Sequence, residues 1–142
     1  PRLINHISTS FEENHDYVSN KLDRTWPVGI DADGFSVSSL EEASEASVNP
    51  LDREHITPYY IRNQSNFDTH NVCISDVYEQ SLMKDASDIR LTLDEAKDYL
   101  TYQIVCADLE DVMCIDTKTL VQYINQNPEK IMNGSITQRT HF

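Results

Sequence analysis

Asp31 and Asp33 stand two residues apart in the stretch Arg24-Thr-Trp-Pro-Val-Gly-Ile-Asp-Ala-Asp-Gly-Phe-Ser36, which is rich in turn and strand residues. In an extended chain, side chains at i and i+2 point to the same side. Two carboxylates on one side can share a divalent cation or hold the hydroxyls of a sugar. The same residues have a purely structural explanation: Asp33-Gly34 is a tight-turn dipeptide between Ile30 and Phe35. By spacing alone that hairpin is the stronger reading.

Asp94 is the next candidate. It follows the alternating run Ile89-Arg90-Leu91-Thr92-Leu93, which reads as a strand, and precedes a helical stretch from Glu95 to about Ala107. Ligands in open α/β sheets bind at the carboxyl ends of strands. A carboxylate there can coordinate Mg²⁺ while the ion grips a triphosphate. It can equally cap the helix, a contribution of about 1 kcal/mol. His55, in Arg53-Glu-His-Ile-Thr-Pro-Tyr-Tyr60, is suited to contact a ligand, with Arg53 beside it to meet an anion. A histidine hydrogen-bonded at the surface accounts for it as well.

Two absences narrow the chemistry. There is no G-x-S-x-G nucleophile turn. With glycine only at 29, 34 and 134, the chain contains no phosphate-cradling glycine loop. An enzyme acting on a nucleotide would need that loop elsewhere.

The elements that must carry these residues can be read from spacing. Leu3, Ile4, Ile7 and Phe11 predict a helix over 3–14, with Pro1 tolerated just before it. Tyr17-Val18 is a short strand, and 21–28 a loop ending at Pro27. Ser38 or Ser39 is expected to cap a helix to about Ser47, with Glu41 and Glu42 in its first turn, ended by Asn49-Pro50. A helix over Asp52 to Arg62 should bend or break at Pro58. Asn63 to Thr69 reads as loop, Val72-Cys73-Ile74 as a short apolar strand, and 76–87 as ambiguous. The helix after Asp94 places Ala96, Tyr99, Leu100, Gln103 and Ile104 on one side. Asp116 or Thr117 caps a last helix, Lys118 to Gln126, which Asn127-Pro128 ends; 133–142 is expected to be extended or loose. Strands alternating with helices indicate an α/β sheet with some parallel pairs.

Size and charge exclude whole classes. A chain of 142 residues is one domain or a large part of one. Its 24 acidic against 11 basic residues, a net charge of −13, argue against nucleic acid and against an anionic membrane surface. No apolar run reaches the roughly 18 residues of a membrane span, and no apolar leader region opens the chain. Most of the carboxylates are expected to form a solvated surface. Cys73, Cys106 and Cys114, an odd number without C-x-x-C spacing, are expected to be reduced apolar fillers in a cytoplasmic protein. The first methionine is Met83, so the chain is expected to be a processed, cut or interior piece of a longer one.

Five segments, Asp16-Tyr-Val-Ser-Asn20, Arg24-Thr-Trp-Pro27, Gly29 to Ser36, Arg53-Glu-His-Ile-Thr-Pro-Tyr59 and Arg90-Leu-Thr-Leu-Asp94, occur in the order seen in one group of sugar cytidylyltransferases. The chain resembles the spore coat polysaccharide biosynthesis protein F type, related to acylneuraminate and 3-deoxy-manno-octulosonate cytidylyltransferases. Leu120 to Thr137 resembles that group's C-terminal extension. The resemblance implies a Rossmann-like nucleotide-diphospho-sugar transferase fold, of which this chain is the C-terminal portion, with mixed sheet and flanking helices. It implies a sugar-side portion over 1–107 and a helical extension over 108–142. The CTP phosphate loop, cytosine pocket and first metal ligand would lie upstream.

By the family pattern Asp94 is a Mg²⁺ ligand. Asp31 and Asp33 occupy the two acidic places of Gly-Leu-Asp-Val-Glu and would be catalytic, and Arg24, Arg53 and His55 would meet the substrate. Gly34 replaces an apolar residue, and Glu95-Ala96-Lys97-Asp98 stands for Thr-Pro-Glu-Asp, so Asp98 keeps the acidic place. The implied activity is transfer of CMP from CTP to a sugar, in a cytoplasmic homodimer making a polysaccharide or surface glycan. Two other readings stay open: a non-catalytic sugar-binding or assembly module, and a metal-dependent glycosyltransferase using Asp31 and Asp33.

Overall fold

The computed structural model describes residues 2–79, 83–109 and 114–131. Helix α1 (Arg2–Ser10) buries Leu3 and Ile7, each contributing about 1.5–3 kcal/mol when fully removed from water. A 3₁₀ turn, Phe11–Glu13, extends it and stops at Asn14, whose φ of 65° only glycine and short polar residues adopt readily. Strand β1 (Tyr17–Ser19) is buried throughout. It pairs antiparallel with β2 (Asp33–Phe35) and parallel with β3 (Thr69–Asn71), giving a mixed sheet of order β2-β1-β3. Helices α2 (Val37–Ala46), α3 (Pro50–Glu54) and α4 (Thr57–Arg62) lie between β2 and β3 in sequence; α5 (Ile74–Val77), α6 (Ala96–Asp108) and α7 (Thr117–Gln126) follow the sheet.

Successive side chains of β1 point to opposite faces. Val18 joins a core of Leu3, Ile7, Trp26, Val72, Ile74, Ile89, Leu91, Val121 and Ile124, so α1 and α7 pack on the same apolar layer. Tyr17 joins Tyr60, Phe67 and Ala43, with Phe35 and Tyr59 packed alongside. Its ring stacks on Phe35 at 5.0 Å and meets Tyr60 at 4.8 Å.

Several expectations are corrected. Asp33-Gly34 is not a hairpin turn but the start of β2, with Gly34 opposite Val18. The connection from β1 to β2 is long, and Asn20 closes it: its amide donates to the Ile30 carbonyl at 2.7 Å and accepts from the Ala32 N–H at 2.9 Å. Glycine is required at 34 because α1 crosses there; a Cβ would sit 2.4 Å from Phe11 Cε2 and 2.9 Å from Ile7 Cγ2.

Val72-Cys73-Ile74 is not a strand. The ladder is Thr69–Asn71, and it stops because the Trp26 indole N–H takes the Val72 carbonyl at 2.8 Å while Asp76 takes the Cys73 N–H at 2.7 Å, starting α5. The cap of α2 is Ser36, neither Ser38 nor Ser39, so Glu41 and Glu42 fall outside the first turn. The helix expected over Asp52 to Arg62 is interrupted, at His55 and Ile56, and Pro58 sits in the first turn of the second piece, α4.

Cys106 and Cys114 are exposed and Cys73 half-buried, so they are not core fillers. The α6 side shared by Ala96, Tyr99, Leu100, Gln103 and Ile104 is largely solvent-facing, with Tyr99 and Leu100 exposed. The helix instead buries Asp98, Thr101 and Val105, because its first turn is bonded to the segment before it. Among the described residues no helix is long and apolar enough to cross a membrane. The stretch 133–142 lies outside the described residues.

Candidate functional site

Two segments distant in sequence run side by side in the same direction. Val28 and Arg90 form a parallel bridge, the Val28 N–H donating to the Ile89 carbonyl at 2.8 Å and the Leu91 N–H to the Val28 carbonyl at 2.6 Å. Gly29 follows with φ 104°, and a Cβ there would sit 2.6 Å from the Leu91 carbonyl carbon and oxygen. Only glycine combines that dihedral with that approach. Tyr102 of α6 donates to the same Leu91 carbonyl at 2.5 Å. The pairing therefore carries Asp31 and Asp94 away from one point in one chain direction: Asp31 comes shortly after Val28, Asp94 shortly after Arg90.

Each is held by an arginine. Arg24 Nη1 donates to Asp31 Oδ1 at 2.7 Å. Arg90 Nη2 donates to Asp94 Oδ2 at 2.9 Å, and the Asp94 side chain stays 58 % exposed. The expected cap at Asp94 is displaced by one residue: Glu95 is the N-cap of α6. The buried carboxylate of Asp98 accepts from the backbone N–H of both Asp94 and Glu95, each at 2.9 Å, and meets Arg90 at 3.3 Å. Hydrogen bonding to Asp98 raises the Arg90 pKa, against the cost of desolvating the guanidinium. Asp98 thus fixes the backbone from which Asp94 projects, leaving the Asp94 carboxylate to face water.

Asp33 is placed differently. Its Oδ1 accepts from the Tyr17 hydroxyl at 2.8 Å and the Ser19 hydroxyl at 2.7 Å, and its Oδ2 pairs with Lys21 Nζ at 2.5 Å. Burial, and then the Asp33 charge, push the Tyr17 phenol well above its ordinary value, so it remains a donor. Asp31 and Asp33 do not face a common ion; one turns to Arg24, the other inward to the sheet.

Arg53 and His55 sit at the end of α3. Arg53 reaches the Ser44 carbonyl at 3.5 Å, and His55 lies 3.7 Å from Glu54 with both side chains exposed. Among the described residues neither makes a hydrogen bond or ion pair with Asp31, Asp33 or Asp94. Among the described residues no three His, Cys, Asp or Glu side chains gather as a metal set. A Mg²⁺ ion fits here only in the pattern where one or two carboxylates and the ligand's phosphates share it. Asp94, exposed and anchored through its backbone, suits that role.

Asp31 also lies on a cleft of about 540 Å³ between the first turn of α1, the 26–32 segment, Tyr78 and the start of α7. That volume falls in the range of small-molecule sites. Arg2, on its rim, is 3.5 Å from Asp116 and lies over the Tyr78 ring at 5.4 Å. Sequence reasoning missed this wall, as it missed Lys21, Ser19 and the burial of Asp98. Only the last had a visible signal, the capping spacing between Glu95 and Asp98.

No protein-family model matches the chain. It is 27 % identical over 131 residues to an uncharacterized protein of Methanocaldococcus jannaschii, a match covering 92 % of this chain and 50 % of that protein. A solved cytidylyltransferase from Leptospira borgpetersenii superposes with a TM-score of 0.83 at 26 % identity, over 95 % of this chain and 54 % of its own. The chain thus spans about half the length of each, and its mixed α/β fold is similar to part of a cytidylyltransferase.

Proposed function

We propose that this chain is the sugar-side portion of a sugar cytidylyltransferase, which activates a sugar by transfer of CMP from CTP with release of pyrophosphate. One observation supports this reading above the others: the likeness to a cytidylyltransferase across 95 % of the chain. The carriage of Asp31 and Asp94 by neighbouring parallel segments is consistent with it.

In this reading a sugar oxygen attacks the α-phosphate of CTP in line and pyrophosphate leaves. Positioning and neutralisation of phosphate charge do most of the work. Asp94 holds Mg²⁺, which supplies Lewis acidity toward the phosphates when bound. Asp98 and Arg90 orient Asp94. Asp31 accepts hydrogen bonds from the sugar hydroxyls, Arg24 keeping it aimed. Asp33 holds strands β1 and β2 together through Tyr17, Ser19 and Lys21. We assign the complete enzyme to the cytoplasm, and Arg53 and His55 to a dimer contact.

The test is pyrophosphate release from CTP with Mg²⁺ and a panel of monosaccharides, using the 142-residue chain and a polypeptide of the relatives' full length that includes it. The long form should turn over and lose at least a hundredfold in kcat on Asp94→Ala; the 142-residue chain should not turn over. Release by the long form that is indifferent to Asp94→Ala would defeat the assignment. The saturation of Asp33 favours a second reading, a sugar-binding module without catalysis, in which both forms bind a monosaccharide and neither releases pyrophosphate.

A further inference from the structure

Two faces of the cleft beside Asp31 come from parts of the chain that the resemblance leaves without a role: the first turn of α1, and residues Cys114–Thr117 leading into α7. The α7 end is fastened from two sides. Asp116 Oδ1 accepts the Lys118 N–H at 2.7 Å and so caps the helix. Its Oδ2 pairs with Arg2 across the cleft mouth at 3.5 Å. One carboxylate therefore starts α7 and ties it to α1. Behind it, Val121 and Ile124 are buried in the same core as Leu3 and Ile7, so the helix cannot swing without opening that core. Ile115, half-buried, lines the cleft next to this tie.

The chemistry of the lining is mixed. Asp31 and the Thr117 hydroxyl, which also bonds the Tyr78 phenol, are groups that bond sugar hydroxyls, while Trp26, the Tyr78 ring and Ile115 offer apolar surface. A few polar groups set in an apolar concavity are the pattern of a small-molecule site. Polar groups from two separate elements of one cleft would grip a ring together.

We propose that the entry of α7, Ile115 to Thr117, is the specificity wall of the sugar cleft, opposite Asp31, with the Arg2–Asp116 pair fixing its distance. This rests on the functional reading above but assigns to the helical extension a part in choosing the acceptor. Ile115 limits the size of the sugar, and Thr117 offers a hydroxyl to it.

The experiment is amide-resolved NMR of the 142-residue chain titrated separately with D-glucose, N-acetyl-D-glucosamine and D-glucuronate, without nucleotide. One of the three should shift the amides of Ile30 and Asp31 together with those of Ile115 and Thr117. Ile115→Trp, which fills the cleft, should weaken that sugar at least tenfold. Ile115→Ala, which enlarges it, should keep binding and move preference toward the N-acetylated sugar. Thermal melts of both variants verify the fold, and Asp116→Asn, which keeps the cap but loses the ion pair, should weaken the same sugar severalfold. Shifts confined to Ile30 and Asp31, unchanged affinity in Ile115→Trp, or no binding by any of the three overturns the inference. Because the titration contains no CTP, its outcome is separate from that of the pyrophosphate assay, and either can fail while the other stands.

Discussion

Asp33 opens strand β2, whereas Asp94 follows a run, Ile89 to Leu93, that was expected as a strand and forms, among the described residues, only the single bridge at Arg90; the two carboxylates have opposite fates. Asp33 is enclosed, with Tyr17, Ser19 and Lys21 bonded to its two oxygens. Asp94 meets Arg90 through one oxygen, and its side chain remains mostly in water. A carboxylate bonded on both oxygens by its own protein supports the fold. One that mostly faces water and keeps a single partner can add a ligand at little cost, because an ion pair open to solvent on one side contributes only about 0–1 kcal/mol. The difference is made by what surrounds each: β1 supplies hydroxyls to Asp33, whereas Asp98 holds the backbone of Asp94 from below.

The contrast can be broken where the two open carboxylates are positioned. Gly29→Ala should have the largest effect, a loss of at least about 3–4 kcal/mol, since it adds both a forbidden dihedral and a clash with Leu91. Urea unfolding measures it, and a loss under 1 kcal/mol would mean that the Val28–Arg90 bridge does not constrain the site. Next is Asp33→Ala, expected to cost about 2–3 kcal/mol by leaving Lys21, Tyr17 and Ser19 without their shared acceptor. Smallest are Asp94→Ala and Asp31→Ala, each expected to change stability by less than about 1 kcal/mol. Equal losses at Asp33 and Asp94 would erase the distinction between them.

Much of the scaffold was legible because its signals are local. The stripe of Leu3 and Ile7, the cap at Asp116 and the breaks at Asn49-Pro50 and Asn127-Pro128 depend on neighbours within a turn or two. The failures share a cause, which is long-range competition for backbone groups. Nothing near Val72 announces that Trp26 will take its carbonyl. Nothing near Gly34 announces the approach of Phe11, so a glycine needed for packing carries the local signature of a turn. In α6 Tyr99 and Leu100 share a side and both are exposed, while Asp98 is buried through bonds to the backbone of Asp94 and Glu95, before the helix. The candidate residues were found individually; that Asp31 and Asp94 flank one bridge, while Arg53 and His55 stand apart, is information that only the paired segments contain.

Trp26 is the single tryptophan of the chain. It is 1 % exposed, its ring centre lies 6.1 Å from that of Tyr78, and it forms part of the floor beside Asp31. The molecule therefore has a built-in optical probe: one fluorophore, with a blue-shifted emission, placed where an incoming guest would alter its quenching. Occupancy of the cleft can be followed in the unlabelled protein by light alone, at concentrations far below those that magnetic resonance requires.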